Sequence, residues 1–168
     1  NSFTIVQKGN RSTGPRYILE VRGATSNSAG NIDWTVAATN GGGPINTANS
    51  LNVRDGQWHQ IVAVYDARAG QTHLYVDGLL RGSSPPGAFP GLDVVNTSDL
   101  LIGGPQPSAT AANSLDQVTI LSRPLSAADV RAIYRTADTI WTPAVVTPRV
   151  AVGTPATWSL AVPNTLEG

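Results

Sequence analysis

Alternation of apolar and polar positions is the recurring pattern along this chain. Two segments, residues 17–22 and 31–36, show it most clearly, because every second side chain in them is apolar. The positions that share one side of each segment are Tyr17, Leu19, Val21, Ile32, Trp34 and Val36. Successive side chains of a β-strand point to opposite faces, so the pattern predicts two half-buried strands joined by a polar turn.

A second kind of apolar pattern occupies Trp58–Tyr65, where the run is nearly continuous and rich in β-branched residues. Such a run is typical of a strand packed on both faces, which places Trp58 in the core. Residues 100–103 and 115–121 are shorter apolar segments and predict two further strands.

A hairpin is predicted where Thr72–Val76 runs into Asp77-Gly78 and Leu79-Leu80 returns. Asp-Gly tolerates positive φ at both central positions of a two-residue turn, and apolar residues flank it on both sides. The sequence therefore indicates two antiparallel neighbours joined at Asp77.

One short helix is predicted near residues 126–135. Ser126 and Asp129 have the spacing of a capping box, with Asp in place of the usual Glu or Gln. Leu125 and Val130 flank this pair at the spacing of a hydrophobic staple. These signals predict a helix that begins after Ser126.

The C-terminal part differs in composition, with four prolines after Trp141 amid Val, Thr and Ala. We therefore expect one main domain over residues 1–140 and a tail over residues 141–168, which is a linker or an additional strand. Residues 157–162 of the tail alternate, which favours the strand.

Composition supports an all-β fold. The 168 residues are 40% hydrophobic and 13% charged, and they include 17 Gly and 12 Pro, a balance that suits short strands joined by turns. The net charge is zero and the charges are scattered, so we expect no nucleic-acid partner. The longest apolar runs are well below the roughly 20 residues of a membrane span, so no membrane insertion is expected. The chain contains no Cys and no Met, and we interpret it as a mature or excised piece of a larger protein.

Several motifs in this order resemble the laminin-G-like jelly roll, a branch of the concanavalin-A-like lectin/glucanase superfamily. They are 55–62, where a turn enters a strand through Trp-His, the hairpin 71–78, the short strand 101–104, and the closing strand and helix from 114 to 134. The likeness covers about residues 3–135 and implies a two-sheet antiparallel jelly-roll sandwich. Gln117 stands where the family usually has Glu. Residues 5–9 resemble the family's early strand, and what precedes that strand in the family is missing here.

Hydrolysis is not expected, and we predict no catalytic residues. The chain has only two glutamates, Glu20 and Glu167, near opposite ends, whereas glycoside hydrolysis usually needs two carboxylates across one sugar. The glucanases of the family carry two Glu and an Asp close together on one strand, and no such cluster occurs here. His59 is interpreted as a structural residue beside a tryptophan, and His73 as part of the hairpin's polar face.

Calcium is the cofactor that the resemblance suggests, because many members hold it through Asp or Asn side chains and loop carbonyls. Asp116 matches the family's acidic position and Asn113 lies nearby, so these two are the candidate metal ligands. Gln117 removes a negative charge beside them. The alternative, in which Asp116 bonds backbone amides at the start of a strand, stays open.

Glycan binding usually needs an aromatic platform with amide and carboxylate side chains beside it. Trp34 with Asp33, and Asn40 nearby, are the candidate ligand-binding residues, and Phe89 is the loop aromatic that joins them. The competing interpretation is that Trp34 lies in the core, because it shares a face with Ile32 and Val36.

The leading hypothesis is a non-catalytic recognition module that binds glycan or an extracellular protein, assisted by calcium, within a multidomain protein outside the cell or on its surface. The alternative is a structural or adhesive module that self-associates by strand exchange through its tail. A glycoside hydrolase is the weakest of the three.

Overall fold

The structure, a computed structural model, describes residues 2–23, 26–38, 45–48, 51–88, 95–103 and 114–137. These residues form a β-sandwich of two antiparallel sheets with one short helix, so the predicted fold class is confirmed. The elements are β1 (Phe3–Lys8), β2 (Arg16–Val21), β3 (Ile32–Ala37), β4 (Ile45–Ala48), β5 (Ile61–Asp66), β6 (Gln71–Val76), β7 (Leu79–Ser83), β8 (Leu100–Ile102) and α1 (Ala127–Ala137).

The five-stranded sheet has the order β4-β3-β2-β1-β8. β2 and β3, the two alternating segments of the sequence, pair in regular register, with Leu19 opposite Trp34 and Glu20 opposite Asp33. β1 pairs with β2 and contains an irregularity between Thr4 and Val6. β8, which lies much further along the chain, pairs with the outer side of β1.

The three-stranded sheet has the order β5-β6-β7. The predicted hairpin between β6 and β7 is confirmed, and Asp77 and Gly78 both adopt positive φ, at 52° and 72°. This geometry is the reason for the Asp-Gly pair, since other residues rarely adopt it.

The main core lies between the two sheets. Alternate residues of the strands point into it, as their spacing predicts: Ile5, Leu19, Ile32, Trp34, Val36, Leu74 and Val76. Two hydrogen bonds also cross the layers, from Trp34 Nε1 to the Val64 carbonyl at 3.2 Å and between the Thr47 and Thr72 hydroxyls at 2.5 Å. These two bonds pair the buried indole N–H and the two buried hydroxyls, as burial requires.

Helix α1 forms a third layer on the other face of the three-stranded sheet. Val130 is fully buried there against Val64 and Tyr75, and Leu125 packs beside them. The capping box is confirmed, because Ser126 Oγ accepts the Asp129 amide at 3.1 Å and Asp129 accepts the Ser126 amide at 2.9 Å. The apolar staple and the cap therefore fix where the helix begins.

Two sequence predictions are wrong in detail. The strand predicted from Trp58 begins at Ile61, and Trp58 is 56% exposed instead of buried. In the described part of the chain, β5 ends its sheet and is not an interior strand. Residues 115–121 form no strand in the structure. Their apolar pattern is that of a strand, but a strand also needs a neighbour that pairs with its backbone.

The tail, residues 141–168, lies outside the described residues, so the boundary between the domain and the tail stays a prediction. Asn40, Phe89 and Asn113 also lie outside them. Among the residues that are described, no helix has the length and apolar character needed to cross a membrane.

Candidate functional site

Trp34 lies in the core, as the competing interpretation held. The residue is 8% exposed, its ring centroid is 6.1 Å from that of Tyr17, and its indole N–H is bonded to Val64. A stacking role for this indole stays a prediction, and it would require the ring to leave the space between the sheets.

Asp33 follows the alternation of β3 and points away from Trp34, towards the outer face of the five-stranded sheet. It is also 8% exposed, and one carboxylate oxygen lies 2.6 Å from Arg22 Nε. Its other oxygen is buried without a hydrogen-bond partner. Neighbours in sequence, Asp33 and Trp34 are thus placed on opposite faces and do not form one site.

Asp116 is exposed, and its carboxylate accepts the amide of the next residue, Gln117, at 2.8 Å. This contact fits the alternative role, a local bond to the backbone. Within the described residues, no group of three or more His, Cys, Asp or Glu side chains could hold a metal ion. Asp116 alone supplies one carboxylate, which falls short of the six to eight oxygen ligands that calcium takes. The described residues therefore do not by themselves make a calcium site.

A different cluster is assembled around His59, just before β5. Its Nδ1 lies 2.8 Å from Asp77 Oδ2 and its Nε2 lies 3.1 Å from Asp55 Oδ1. Asp77 also accepts the Gln60 amide at 3.0 Å and donates its own amide to the Gln60 carbonyl at 2.9 Å. His59 and Asp77 together fasten residues 55–60 to the β6–β7 turn.

The two carboxylates set the protonation of His59. A neutral imidazole has one N–H, so only the imidazolium can donate to both carboxylates at once. Burial of the ring opposes the charged form, but the bonds to Asp77 and Asp55 outweigh it and raise the pKa of His59 above its ordinary value of 6.5. The bonds from the Gln57 amide and from His59 lower the pKa of Asp55, which stays ionised.

Trp58 lies at the tip of this cluster. We call residues 54–58 the Trp58 loop. Asp55 Oδ1 accepts the Gln57 amide at 2.9 Å, and Gly56 takes a φ of 81°, so the loop turns tightly before Trp58. All five residues of the loop are exposed. The loop therefore combines a large aromatic surface, an ionised carboxylate and two side chains with hydrogen-bond donors, Arg54 and Gln57.

The Trp58 loop was not among the sites predicted from the sequence. The continuous apolar run after Trp58 suggested burial, whereas the polar run Arg54–Gln57 before it was the signal of an exposed turn. Trp58 lies where the polar run ends and the apolar run begins. A tryptophan at the start of an apolar run can belong to the exposed turn or to the buried strand.

Comparison with protein families agrees with the fold. Residues 1–131 match a laminin G-like family model described as the concanavalin A-like lectin/glucanases superfamily. Among solved structures, the chain is similar to an S-layer domain-containing protein from Clostridium thermocellum ATCC 27405, with 16% identity and a TM-score of 0.40. The similarity covers 80% of this chain and 63% of that chain, less than two thirds of its length. No curated protein matches the sequence.

The family match extends over most of the chain and includes the Trp58 loop, the hairpin and the first part of helix α1. The resemblance inferred from the sequence motifs is confirmed. The chain belongs to the concanavalin A-like lectin/glucanases superfamily, as a laminin G-like domain.

Proposed function

We propose that this chain is a non-catalytic recognition module that binds glycan through the Trp58 loop, outside the cell or on its surface, as part of a larger protein. The observation that carries the proposal is an indole that is 56% exposed beside the ionised carboxylate of Asp55. Membership of a superfamily of lectins and glucanases supports a sugar ligand, although a fold alone does not identify one.

The chemistry of the loop suits a sugar. The apolar face of a pyranose ring stacks on an aromatic side chain, while its hydroxyls bond to carboxylates, amides and guanidinium groups at the rim. Oδ1 of Asp55 is engaged with Gln57 and His59, and Oδ2 makes no hydrogen bond among the described contacts. Asp55 can therefore accept a sugar hydroxyl at Oδ2 without breaking the bonds that shape the loop.

The geometry of the loop also favours recognition because it is held in place before a ligand arrives. His59 joins Asp55 to Asp77, and Asp77 is itself fixed by Gln60 and by the hairpin turn. Binding to a preorganised loop loses less conformational entropy, which raises affinity.

The test is a glycan array probed with the wild-type chain, Trp58→Ala and a control variant, Ile133→Ala. Ile133 is an exposed apolar residue on α1, so the control removes apolar surface elsewhere. We expect wild type and control to bind one sugar class and Trp58→Ala to lose about tenfold in affinity, equivalent to about 1.4 kcal/mol. Equal binding by all three would exclude the loop as the site.

A second variant tests the contribution of the Asp55 carboxylate to binding separately from that of the Trp58 ring. Asp55→Asn retains the oxygen that accepts the Gln57 amide and removes the negative charge. We expect a weaker but measurable interaction with the same sugars. A silent array for every chain would instead favour an extracellular protein as the ligand.

Calcium enters the proposal as a cofactor held through Asp116 and Asn113, and the array is run with calcium and with a chelator. Calcium-dependent binding that is lost in Asp116→Asn would support a calcium site, and identical binding in both conditions would remove calcium from the proposal.

The remaining candidate ligand-binding residues are tested on the same arrays with the variants Phe89→Ala, Asn40→Ala and Asp33→Asn.

Hydrolysis is the weaker alternative for a physical reason. Glu20 and Asp33 face each other across β2 and β3, and each is paired with an arginine, Glu20 with Arg11 and Asp33 with Arg22. Both carboxylates are thus engaged with a guanidinium group of the chain itself, whereas a glycosidase needs a carboxylic acid that is placed to protonate the leaving group of the sugar. Release of reducing sugar from any bound polysaccharide would restore this alternative.

A further inference from the structure

β8 forms an exposed apolar edge of the five-stranded sheet. It pairs with β1 on one side, and in the described part of the chain no strand pairs with its other side. Its three residues, Leu100, Leu101 and Ile102, are 41%, 47% and 50% exposed. The exposed side chain of Leu115 lies close to the end of this edge, since a Cβ built on Gly103 would be 3.4 Å from it. Such an edge invites pairing with another strand.

β7, the outer strand of the β6–β7 hairpin, is an edge strand that is protected in ways that β8 is not. β7 also has exposed leucines, but it carries Arg81 and it contacts helix α1. A charged side chain and a covering helix are two common ways to prevent pairing at an edge. All three residues of β8 are apolar. Within the described ranges, the edge of β8 therefore lacks both kinds of protection that β7 has.

We propose that residues 157–162 of the same chain add a strand to the outer edge of β8. This segment, Thr-Trp-Ser-Leu-Ala-Val, alternates in polarity and has no charge, so it matches an apolar edge. Pro155 and Pro163 lie on either side of it. Proline lacks the N–H needed for a sheet ladder, so the prolines limit the pairing to the residues between them.

The length of the intervening chain favours the tail of the same molecule over that of a second copy. Residues 138–156 separate the end of α1 from the segment. A connection of about 20 residues can extend to about 65 Å, and as a flexible coil its ends lie about 25 Å apart. The effective concentration of such a tethered strand is in the millimolar range, above that of a free chain at micromolar concentration.

Hydrogen exchange of the full-length chain tests this pairing directly. Leu160→Pro removes one N–H in the middle of the segment, and Val152→Pro makes the same change in the tail outside it. We expect the β8 amides that point away from β1 to exchange at least about tenfold faster in Leu160→Pro than in wild type, and Val152→Pro to match wild type. Equal exchange in all three chains would overturn the proposal.

Cysteine cross-linking distinguishes the two sources of the strand, since the natural chain has no Cys. Leu101→Cys is combined in turn with a cysteine at each of positions 158 to 161, and Ile133→Cys on α1 replaces Leu101→Cys in the control series. We expect disulfides within one chain at alternate tail positions, absent from the control series. Disulfides that form only between two chains, or that form equally with Ile133→Cys, would overturn the proposal.

Discussion

Trp34 and Trp58 occupy opposite environments in the same sandwich. Trp34 is enclosed between the sheets, where its ring packs on Tyr17 and its N–H is bonded to Val64. Trp58 lies on an exposed loop with Asp55, before β5 begins at Ile61. One indole is therefore part of the core, and the other is mainly exposed to solvent.

The difference follows from the side chains around each residue. Trp34 lies within a strand whose alternate residues are buried, so its position in the alternation determines its burial. Trp58 precedes the strand, where no alternation applies, and the ion pairs of His59 shape the backbone. In a strand the pattern decides which way a side chain points, whereas in a loop the tertiary contacts decide.

The largest effect is expected from truncation of the two tryptophans. Trp34→Ala removes a buried ring from the core together with its hydrogen bond to the Val64 carbonyl, which should lower the free energy of unfolding by about 3–5 kcal/mol. Trp58→Ala should cost about 1 kcal/mol or less, because its ring is mainly in water already. Urea unfolding of both variants gives the comparison.

Trp34→Phe serves as the control for ring packing, since it retains an aromatic ring and loses the N–H. Its cost should fall between those of the two alanine variants. A loss of stability in Trp58→Ala as large as that in Trp34→Ala would show that Trp58 is a core residue after all, and the glycan proposal would lose its main support.

A smaller difference in stability is expected between alanine variants of two glycines, Gly78 in the packed β6–β7 turn and Gly56 in the exposed Trp58 loop. Gly78 and Gly56 have similar positive φ values, 72° and 81°. A Cβ at Gly78 would meet Tyr134 of α1 at 3.1 Å, whereas a Cβ at Gly56 would have no neighbour within 4 Å. Gly56→Ala should therefore cost about 1 kcal/mol from backbone strain alone, and Gly78→Ala about 2 kcal/mol or more.

Thermal or urea unfolding of the two glycine variants measures this difference. Equal costs would mean that helix α1 yields to the added methyl group and that its contact with the hairpin turn is loose. A greater cost at Gly56 would contradict the open environment of the Trp58 loop.

Local signals in the sequence predicted those parts of the fold in which the chain determines its own geometry. Asp77-Gly78 specifies its turn through positive φ, and Ser126 with Asp129 specifies the start of α1 through reciprocal hydrogen bonds. Both features are complete within a few residues. The alternation of β2 and β3 was equally informative because each has a neighbour on both sides.

Features that depend on distant residues were predicted poorly. Leu115–Leu121 has the composition of a strand but forms none, because pairing depends on a partner that its own pattern cannot specify. The site around Trp58 requires Asp77, which lies 18 residues beyond His59 and reaches it through the fold. The sequence showed each residue separately, and the tertiary structure brought them together.

The smallest effect expected is the pH dependence that His59 gives to the Trp58 loop. Its pKa is raised in the folded protein, so the imidazolium is bound more tightly there than in the unfolded chain, whose pKa is near 6.5. The resulting stability is fully present below about pH 6 and is lost as the pH rises through the folded pKa. Solvent screens ion pairs that are partly exposed, so this contribution to stability is small.

Unfolding of wild type and His59→Gln from about pH 6 to about pH 9 measures this contribution. We expect the stability advantage of wild type to be greatest at the acid end and to decline towards the alkaline end. His73→Gln is the matched control, because His73 Nδ1 contacts a neutral hydroxyl, Ser83 Oγ, at 2.6 Å. An advantage that is constant with pH would mean that His59 fixes the loop as a neutral ring, and one that grows with pH would contradict the raised pKa. In either case the conformation of the Trp58 loop would not depend on the charge of His59. A neutral His59 would then hold the loop by donating one hydrogen bond to a carboxylate instead of two.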